Sequence, residues 1–322
     1  MKRSFAFTLG VLLALPAGLS AGTISQIVVF GDSLSDTGNL YIATGGLPPA
    51  PAPPLYTKGL FTDGPDSTPS TSGPLGIWVQ QLAGMIGVAS PAPYLAGTGG
   101  TDYAFGGALT GHDPNPAGVP YVTDQLDAYL AGHLSGVPST ALYAFWAGAN
   151  DIFQGMSPAT AVANLTGNIN TLFDDGGRHF LWLDMPPLGD TPDGLALGGA
   201  GSAALNLFSQ EYNADWLTAI ALLDAQDPGI NIVDVNVYGL VEAMLADPSK
   251  YGFVNVDTPA QGLSVDPNTY LFWDGVHPTT EGDFQVASLA EGDLATPEPS
   301  TVVLVSTALL AAAFMIKRRQ DA

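Results

Sequence analysis

The sequence predicts an α/β domain in which helices cover both faces of a mainly parallel sheet. Four short apolar runs, rich in branched and aromatic residues, have the composition of buried strands. They lie at residues 24–30, 142–146, 179–183 and 230–235. Segments with the helical spacing of apolar residues lie at 77–86, 159–173, 203–223, 237–245 and 279–289. Alternating strands and helices imply right-handed crossovers and a parallel sheet, with functional groups at the carboxyl ends of the strands.

The N-terminus has the layout of a secretory signal peptide. A basic start at residues 1–3 is followed by an apolar run at 5–15 and by small residues that end at Ala21. These are the three parts of an export signal with its cleavage site. We therefore expect residues 1–21 to be removed on export and residues 22–296 to form the folded domain.

The C-terminus carries a second export-related pattern. A Pro-Glu-Pro triplet at 297–299 precedes an apolar segment at 301–316 and a basic cluster at 317–319. This order resembles the PEP-CTERM sorting signal, which implies removal of the tail (297–322) by an exosortase-type processing enzyme. The alternative is a plain tail anchor with the basic cluster on the cytoplasmic side. Either pattern predicts an exported protein, anchored in a membrane or released to the cell surface or the outside.

Charge and cysteine content exclude several classes of protein. The formal net charge is −22, and between the two terminal segments only Lys58, Arg178 and Lys250 are basic. Nucleic-acid binding needs clustered Lys and Arg to neutralise phosphates, so we expect no nucleic-acid partner. The chain has no cysteine. This excludes disulfides, thiolate zinc sites and a cysteine nucleophile.

Four polar or glycine-rich segments follow predicted strands or lie in loops. They are Gly-Asp-Ser-Leu-Ser-Asp-Thr-Gly-Asn at 31–39, Gly-Gly-Ala at 106–108, Gly-Ala-Asn-Asp at 148–151 and Asp-Gly-Val-His-Pro at 274–278. A serine in a tight turn after a strand exposes its hydroxyl, and glycines let the backbone approach a ligand closely. Taken singly, each segment has an ordinary explanation, since Ser33 could cap a helix and Asn150 could be a turn residue.

The segment at 274–278 has the spacing of an acid–base pair. Asp274 and His277 stand three residues apart, so in a turn that enters a helix both side chains lie on one side. The carboxylate can then accept from one imidazole nitrogen and leave the other free to take a proton from a serine. The other three histidines, His112, His133 and His179, have no acid at this spacing.

Together, the four segments resemble in order and spacing the four blocks of the GDSL or SGNH hydrolase family. The resemblance implies that Ser33 is the nucleophile and that His277 and Asp274 complete a catalytic triad. It further implies an oxyanion hole formed by the N–H groups of Ser33 and Gly107 and by the side chain of Asn150. No metal or organic cofactor is expected for this chemistry.

The resemblance covers roughly residues 24–290 and also implies a fold. This is a three-layer αβα sandwich of the flavodoxin-like type with a five-stranded parallel sheet, in which a short strand near 103–105 would be the fifth. The stretch 61–65 resembles a further motif of the lipase-like branch. The chain departs from that branch at Asp102, where Asn is usual, and in the long Pro-rich loop at 45–74. The resemblance therefore does not predict the hydrogen bonding around Asp102 or the effect of the loop on substrate access.

The function that the resemblance implies is hydrolysis of carboxylic esters through an acyl-enzyme intermediate. An acyltransferase would use the same residues with an alcohol in place of water. A carbohydrate O-deacetylase is another alternative from the same family. A non-catalytic cell-surface protein is the alternative from a different class, and the complete set of site residues argues against it. We expect a monomer that acts on an ester substrate, either a lipid or an acylated small molecule or glycan.

Overall fold

The computed structural model describes the central part of the chain. The described residues are 24–46, 56, 59–63, 76–97, 99–113 and 118–295. The predicted signal peptide, the predicted C-terminal tail and most of the loop at 45–74 lie outside these ranges. Among the described residues, no helix has both the length and the apolar character needed to cross a bilayer.

Four parallel strands form the sheet in the order β1-β2-β3-β4. They are β1 (Gln26–Gly31), β2 (Ala141–Trp146), β3 (His179–Leu183) and β4 (Asn231–Val235). The predicted strands are therefore confirmed, with ends that differ by one or two residues. Gly31 at the end of β1 is in register with Trp146 at the end of β2, so the loops that follow these two strands begin side by side.

The prediction of a fifth strand near 103–105 is wrong for the described part of the chain, where the sheet has four strands. The segment does run beside β1, because Val29 N donates to Thr101 O and Tyr103 N donates to Val29 O, both at 2.9 Å. The pairing of this segment with β1 amounts to one isolated β-bridge, between Val29 and Asp102. The chain turns away at Gly107, whose φ is +83°, before a longer ladder can form.

This short pairing places the 101–105 segment on the outer side of β1, opposite β2. The chain therefore leaves β1 toward one edge of the sheet, and then crosses back to add β2, β3 and β4 toward the other edge. The carboxyl end of β1 lies at this reversal, which is where ligands bind in open α/β sheets.

Helices cover both faces of the sheet. They are α1 (Asn39–Ala43), α2 (Trp78–Ile86), α3 (Val122–Ala131), α4 (Ala149–Phe153), α5 (Pro158–Asp174), α6 (Pro192–Ala196), α7 (Gly198–Gln226), α8 (Val237–Ala246) and α9 (Thr280–Ala295). The five predicted helices correspond to α2, α5, α7, α8 and α9. The structure adds α3 and the short helices α1, α4 and α6, which the spacing of apolar residues did not indicate.

The alternation of side chains along each strand divides the core into two layers. Val29 of β1 belongs to one buried apolar cluster, together with residues of α2, α8 and α9. Its neighbour Phe30 belongs to a second cluster, together with residues of α3, α5 and α7. The predicted three-layer αβα architecture is thus confirmed.

Several carboxyl groups are buried with this core. Burial raises the pKa of Asp32 and of Asp184 to about 7 and that of Asp36 to about 6, in each case against hydrogen bonds from backbone N–H groups that lower it. The folded chain therefore binds more protons than the unfolded chain between about pH 4 and pH 7. Stability falls with rising pH wherever the folded state holds more protons than the unfolded state. The free energy of unfolding should therefore be larger near pH 4 than near pH 7.

We predict that the protein is more stable at pH 5 than at pH 8. The midpoint of thermal unfolding should fall as the pH rises through 6 and 7, by about 2–4 °C for each kcal/mol lost. Asp184→Asn keeps a buried oxygen acceptor but cannot titrate, so it should flatten this dependence. Asp215→Asn, at an exposed position on α7, is the matched control. Equal midpoints at both pH values would contradict the prediction.

Candidate active site

The turn that carries Ser33 begins where β1 ends. Gly31 is held at both backbone atoms by the buried side chain of Gln125 on α3, which accepts from Gly31 N at 2.9 Å and donates to Gly31 O at 2.8 Å. A Cβ at position 31 would lie 2.5 Å from Trp146 O, so a glycine is required. Asp32 then accepts from Leu34 N at 3.0 Å and closes the turn, which leaves Ser33 partly exposed.

The Asp274 side chain organises the loop that carries His277. One carboxylate oxygen, Oδ1, accepts from Val276 N at 2.8 Å and from His277 N at 2.7 Å. The other, Oδ2, lies 2.8 Å from His277 Nδ1. The same imidazole places Nε2 2.7 Å from Ser33 Oγ. The structure therefore joins the three predicted residues in one hydrogen-bonded row, Asp274–His277–Ser33.

Asp274, in this row, and Asp32, beside Ser33 in the sequence, differ in charge. Burial by itself would raise the pKa of Asp274, but the charge of His277 and hydrogen bonds from His277 and Tyr56 lower it to about 2. Asp32, which is fully buried beside Ser33, has its pKa raised to about 7, mainly by burial. Environments that separate the pKa values of neighbouring carboxyls assign them different roles. Asp274 stays ionised as the partner of His277, whereas Asp32 holds a proton below neutral pH.

Tyr56 is a contact of the triad that sequence reasoning missed. Its hydroxyl donates to Asp274 Oδ2, the oxygen that also faces His277. The tyrosine ring stands edge-on to the His277 ring, with centroids 5.9 Å apart, and packs against Phe61 at 4.9 Å. Burial raises the pKa of Tyr56, so the hydroxyl keeps its proton and acts as a donor. Tyr56 lies in the Pro-rich loop at 45–74, where no spacing or motif pointed to it.

Three N–H donors surround the space in front of Ser33. Within the described residues, the backbone N–H groups of Ser33 and Gly107 have no acceptor. Asn150 donates through Nδ2 to Ala108 O at 3.1 Å and has a second N–H to offer. Ser33, Gly107 and Asn150 all line the same cavity. This arrangement can stabilise a negatively charged oxygen, the role that the sequence predicts for these residues.

The glycines of the second segment hold this position. Gly106 N donates to Asp36 Oδ2 at 2.8 Å, which ties the segment to the nucleophile turn. A Cβ on Gly106 would lie 2.4 Å from the Phe61 ring, so the segment can lie this close only without a side chain. Gly107, in the left-handed region, then directs its N–H away from the protein's own acceptors.

Asp102, the departure from the usual asparagine, is buried and joins the same network. One of its oxygens accepts from Thr37 N and Thr37 Oγ1, both at 2.6 Å, and the other accepts from Ala104 N at 2.8 Å. An amide could accept at only one of these two positions, since its second atom is a donor. The acid therefore fits its surroundings as an acceptor on both sides.

A cavity of about 610 Å³ opens at Ser33 and His277. Most of its lining is apolar. Among the described residues, one cluster has the chemistry of a metal site, formed by His112, Asp124 and Asp127. His112 and Asp127 are exposed, and none of the three lines the cavity. The structure thus brings Asp124, in the first turn of α3, to 2.9 Å from His112, although no acid stands three residues from His112 in the sequence.

A serine, an imidazole and an ionised carboxylate in one row, with free N–H groups beside the serine, form an arrangement of the serine-hydrolase type. Comparison with known families agrees with this class. Residues 27–290 match the model of the GDSL-like lipase/acylhydrolase family, and the chain belongs to this family.

Individual relatives carry esterase and lipase names. A GDSL esterase/lipase of Arabidopsis thaliana is 30% identical, over 80% of this chain and 85% of the relative. Esterase EstA of Pseudomonas aeruginosa is 28% identical, over 87% of this chain and 48% of EstA. The chain thus spans about half the length of several bacterial relatives that it matches. Among solved structures, a lipolytic G-D-S-L protein from Veillonella parvula aligns with a TM-score of 0.43 at 17% identity, over 83% of this chain and 96% of that chain.

We predict that Tyr56→Phe lowers kcat for a p-nitrophenyl ester about tenfold and leaves KM nearly unchanged. The variant keeps the ring packing on Phe61 and His277 but removes one hydrogen bond to a charged carboxylate, an interaction of about 1.5–3 kcal/mol. Tyr41→Phe is the matched control, because Tyr41 packs against Gly59 of the same loop and does not contact the triad. An unchanged kcat in Tyr56→Phe would remove Tyr56 from the site.

Proposed function

We propose that the chain is a serine hydrolase that cleaves carboxylic esters. The observation that carries this proposal is the Asp274–His277–Ser33 row, with its two hydrogen bonds of 2.8 and 2.7 Å, at the mouth of a largely apolar cavity. Family membership and the names of the relatives support the same reaction class. An acyltransferase that uses this site with an alcohol acceptor is the second candidate, to be distinguished by product analysis with added alcohol.

The reaction proceeds in two steps of acyl transfer. His277 Nε2 takes the proton of Ser33 Oγ while the serine oxygen attacks the ester carbonyl. The tetrahedral intermediate collapses when His277 returns this proton to the departing alcohol. Water then replaces the alcohol and attacks the acyl-enzyme while His277 takes a proton from it. When the second tetrahedral intermediate collapses, His277 gives this proton to Ser33 Oγ, and the acid product leaves.

The charges that develop in these steps each have a partner in the site. The carbonyl oxygen becomes negative in the tetrahedral intermediate, where the N–H groups of Ser33, Gly107 and Asn150 can donate to it. The imidazolium of His277 is stabilised by Asp274, whose lowered pKa keeps it ionised throughout. Donors fixed before the reaction cost no reorganisation when the charge appears.

Substitution of Ser33 tests the proposal directly. Ser33→Ala should lower kcat/KM for p-nitrophenyl esters by about 10⁴–10⁶-fold and leave the unfolding midpoint intact. An organophosphonate should label Ser33 in the native protein and fail to label the variant. Ser157→Ala, at an exposed serine before α5, should behave as the native protein. A folded Ser33→Ala protein with full activity would overturn the assignment of the nucleophile.

We further propose that the protein is exported and then processed at its C-terminus. Support comes from sequence alone: the signal-peptide pattern at 1–21 and the triplet, apolar segment and basic cluster in 297–322. Removal of the tail by an exosortase-type enzyme would release the folded domain from the membrane.

Mass spectrometry of the protein from its native host checks this export proposal. The mature N-terminus should lie at or near Gly22, and the C-terminus should lie close to the triplet at 297–299. A membrane-bound protein with an intact C-terminus through Ala322 would exclude processing and support a plain tail anchor. An intact N-terminus at Met1 on a cytoplasmic protein would exclude export.

A further inference from the structure

Asp151 is a buried acid that the proposed reaction does not use. It follows Asn150 directly in α4, and the residue has no exposed surface. Thr110 donates to its side chain twice, from the hydroxyl to Oδ1 at 2.7 Å and from the backbone N–H to Oδ2 at 3.1 Å. A carboxyl group is costly to bury, so its position next to a predicted oxyanion donor calls for an explanation.

A neighbouring side chain determines the direction of the hydroxyl bond. Asn164 Nδ2, on α5, donates to Thr110 Oγ1 at 3.0 Å. The hydroxyl oxygen accepts there, and its single hydrogen points to Asp151, since a carboxylate can only accept. Burial raises the pKa of Asp151, and the hydrogen bonds from Thr110 act against this by stabilising the carboxylate. Asp151 is therefore an acceptor for both donors of Thr110.

The two bonds join the segments that carry two of the oxyanion donors. Thr110 stands three residues after Gly107 in the loop that supplies the backbone N–H. Asp151 stands one residue after Asn150, which supplies the amide. Among the described residues, the other hydrogen bond between this loop and α4 is that of Asn150 itself, to Ala108 O at 3.1 Å. Asp151 thus helps to set the distance between the two donors.

A different acid connects the third donor to the same loop. The backbone N–H that precedes Gly107 donates to Asp36 Oδ2 at 2.8 Å, and Asp36 belongs to the turn that carries Ser33. The donors of Ser33 and Gly107 are therefore connected through Asp36, and those of Gly107 and Asn150 through Asp151. Loss of Asp151 should displace the Asn150 amide and leave the other two donors in place.

We propose that Asp151 is a positioning residue of the oxyanion hole, which holds the Asn150 amide at the distance from Gly107 that the negatively charged oxygen requires. This inference rests on the proposed ester hydrolysis. Asp151 does not line the cavity, so it acts through Asn150 and Thr110 and not on the substrate. A donor stabilises the transition state only from the correct position, and an error of about 1 Å can cost about 10²-fold in rate.

The substitution Asp151→Asn tests the role in catalysis. It should lower kcat for a p-nitrophenyl ester about 10- to 100-fold and leave KM nearly unchanged, since the loss is confined to the transition state. The amide keeps the volume of the side chain but places an NH₂ group opposite a donor of Thr110. Rates are divided by the number of sites that an organophosphonate labels at completion, so that misfolded protein does not contribute. A folded Asp151→Asn protein with the kcat of the native protein would overturn the proposal.

Asp124→Asn is the matched control. The Asp124 carboxylate also accepts from a backbone N–H of the same loop, that of Asp113 at 2.7 Å, but it does so beyond Thr110 and on α3. Its loss should leave kcat unchanged. An equal fall of kcat in both variants would mean that the loop as a whole, and not the link to α4, sets the rate, and would contradict the role of Asp151.

Two substitutions of Thr110 separate the hydrogen bond from packing. Thr110→Val keeps the shape and the backbone N–H but loses the hydroxyl, so kcat should fall about threefold to tenfold, as expected for one hydrogen bond. Thr110→Ser loses a methyl group but keeps the hydroxyl, and should have a kcat close to that of the native protein. If both variants lose the same activity, packing explains the effect and the proposal fails.

A double-mutant cycle tests whether Asp151 acts through Asn150. Asn150→Ala removes one donor and should itself cost about 10²–10³ in kcat. In that background, Asp151→Asn should lower kcat by no more than about threefold further, because no amide remains to be placed. Fully additive losses would show that Asp151 acts independently of Asn150, against the proposal.

Binding of butylboronic acid separates failure of this inference from failure of the proposed reaction. Ser33 Oγ adds to boron while its proton passes to His277, which gives a tetrahedral anion with a boron-bound oxygen at the oxyanion position. The Kd, measured by calorimetry, should increase about tenfold or more in Asp151→Asn and not in Asp124→Asn.

The outcomes of this binding experiment are distinct. If the native protein hydrolyses no ester but shows the increase in Kd on substitution of Asp151, the proposed reaction fails and the positioning role stands. If the Kd is the same in the native protein and in Asp151→Asn, the positioning role fails, whether or not esters are hydrolysed. A native protein that neither hydrolyses an ester nor binds the boronic acid would overturn both.

Discussion

The hydrogen bond between Ser33 and His277 joins two residues 244 positions apart in the sequence. Its length of 2.7 Å leaves little freedom, so the structure must fix the end of β1 and the loop before α9 relative to each other. Backbone hydrogen bonds within that loop hold its shape: Trp273 N donates to His277 O at 2.8 Å, and Thr279 N donates to Leu271 O at 2.9 Å. The triad therefore depends on packing of the first and last parts of the domain.

Hydrogen bonds from residues outside the Asp274–His277–Ser33 row hold the two segments in place. On the side of the nucleophile turn, Trp78 Nε1 donates to Ser35 Oγ at 3.1 Å. On the side of His277, the carboxylate of Asp63 accepts from Thr280 N at 2.6 Å, and Thr62 Oγ1 donates to Pro278 O at 3.1 Å. The described part of this motif, residues 61–63, thus helps to fix the position of His277. It attaches the start of α9, and with it the neighbouring His277, to the loop that also supplies Phe61.

The sequence could predict which residues lie together here because they occur at ends of strands and in one short turn. Ser33 follows β1 directly, and Asp274 and His277 are close enough in sequence for their contact to be predicted from spacing. The hydrogen bonds between Gln125 and Gly31, and between the Tyr56 hydroxyl and Asp274, could not be predicted in this way. Each joins segments far apart in the chain, 94 residues for Gln125 and Gly31 and 218 for Tyr56 and Asp274. Neither residue belongs to a pattern that carries chemistry.

The incorrect prediction of a fifth strand shows a related limit of prediction from sequence. Apolar composition can identify a segment that pairs with β1, but it does not determine how many residues pair before the chain turns. Here Asp102 uses both carboxylate oxygens to bind N–H groups of Thr37 and Ala104, and the glycines at 106 and 107 follow at once. The backbone beside β1 therefore serves the second function of positioning the Gly107 N–H. A longer, regular strand would carry that N–H into the sheet ladder, where it would be paired with a neighbouring carbonyl and could not face the cavity.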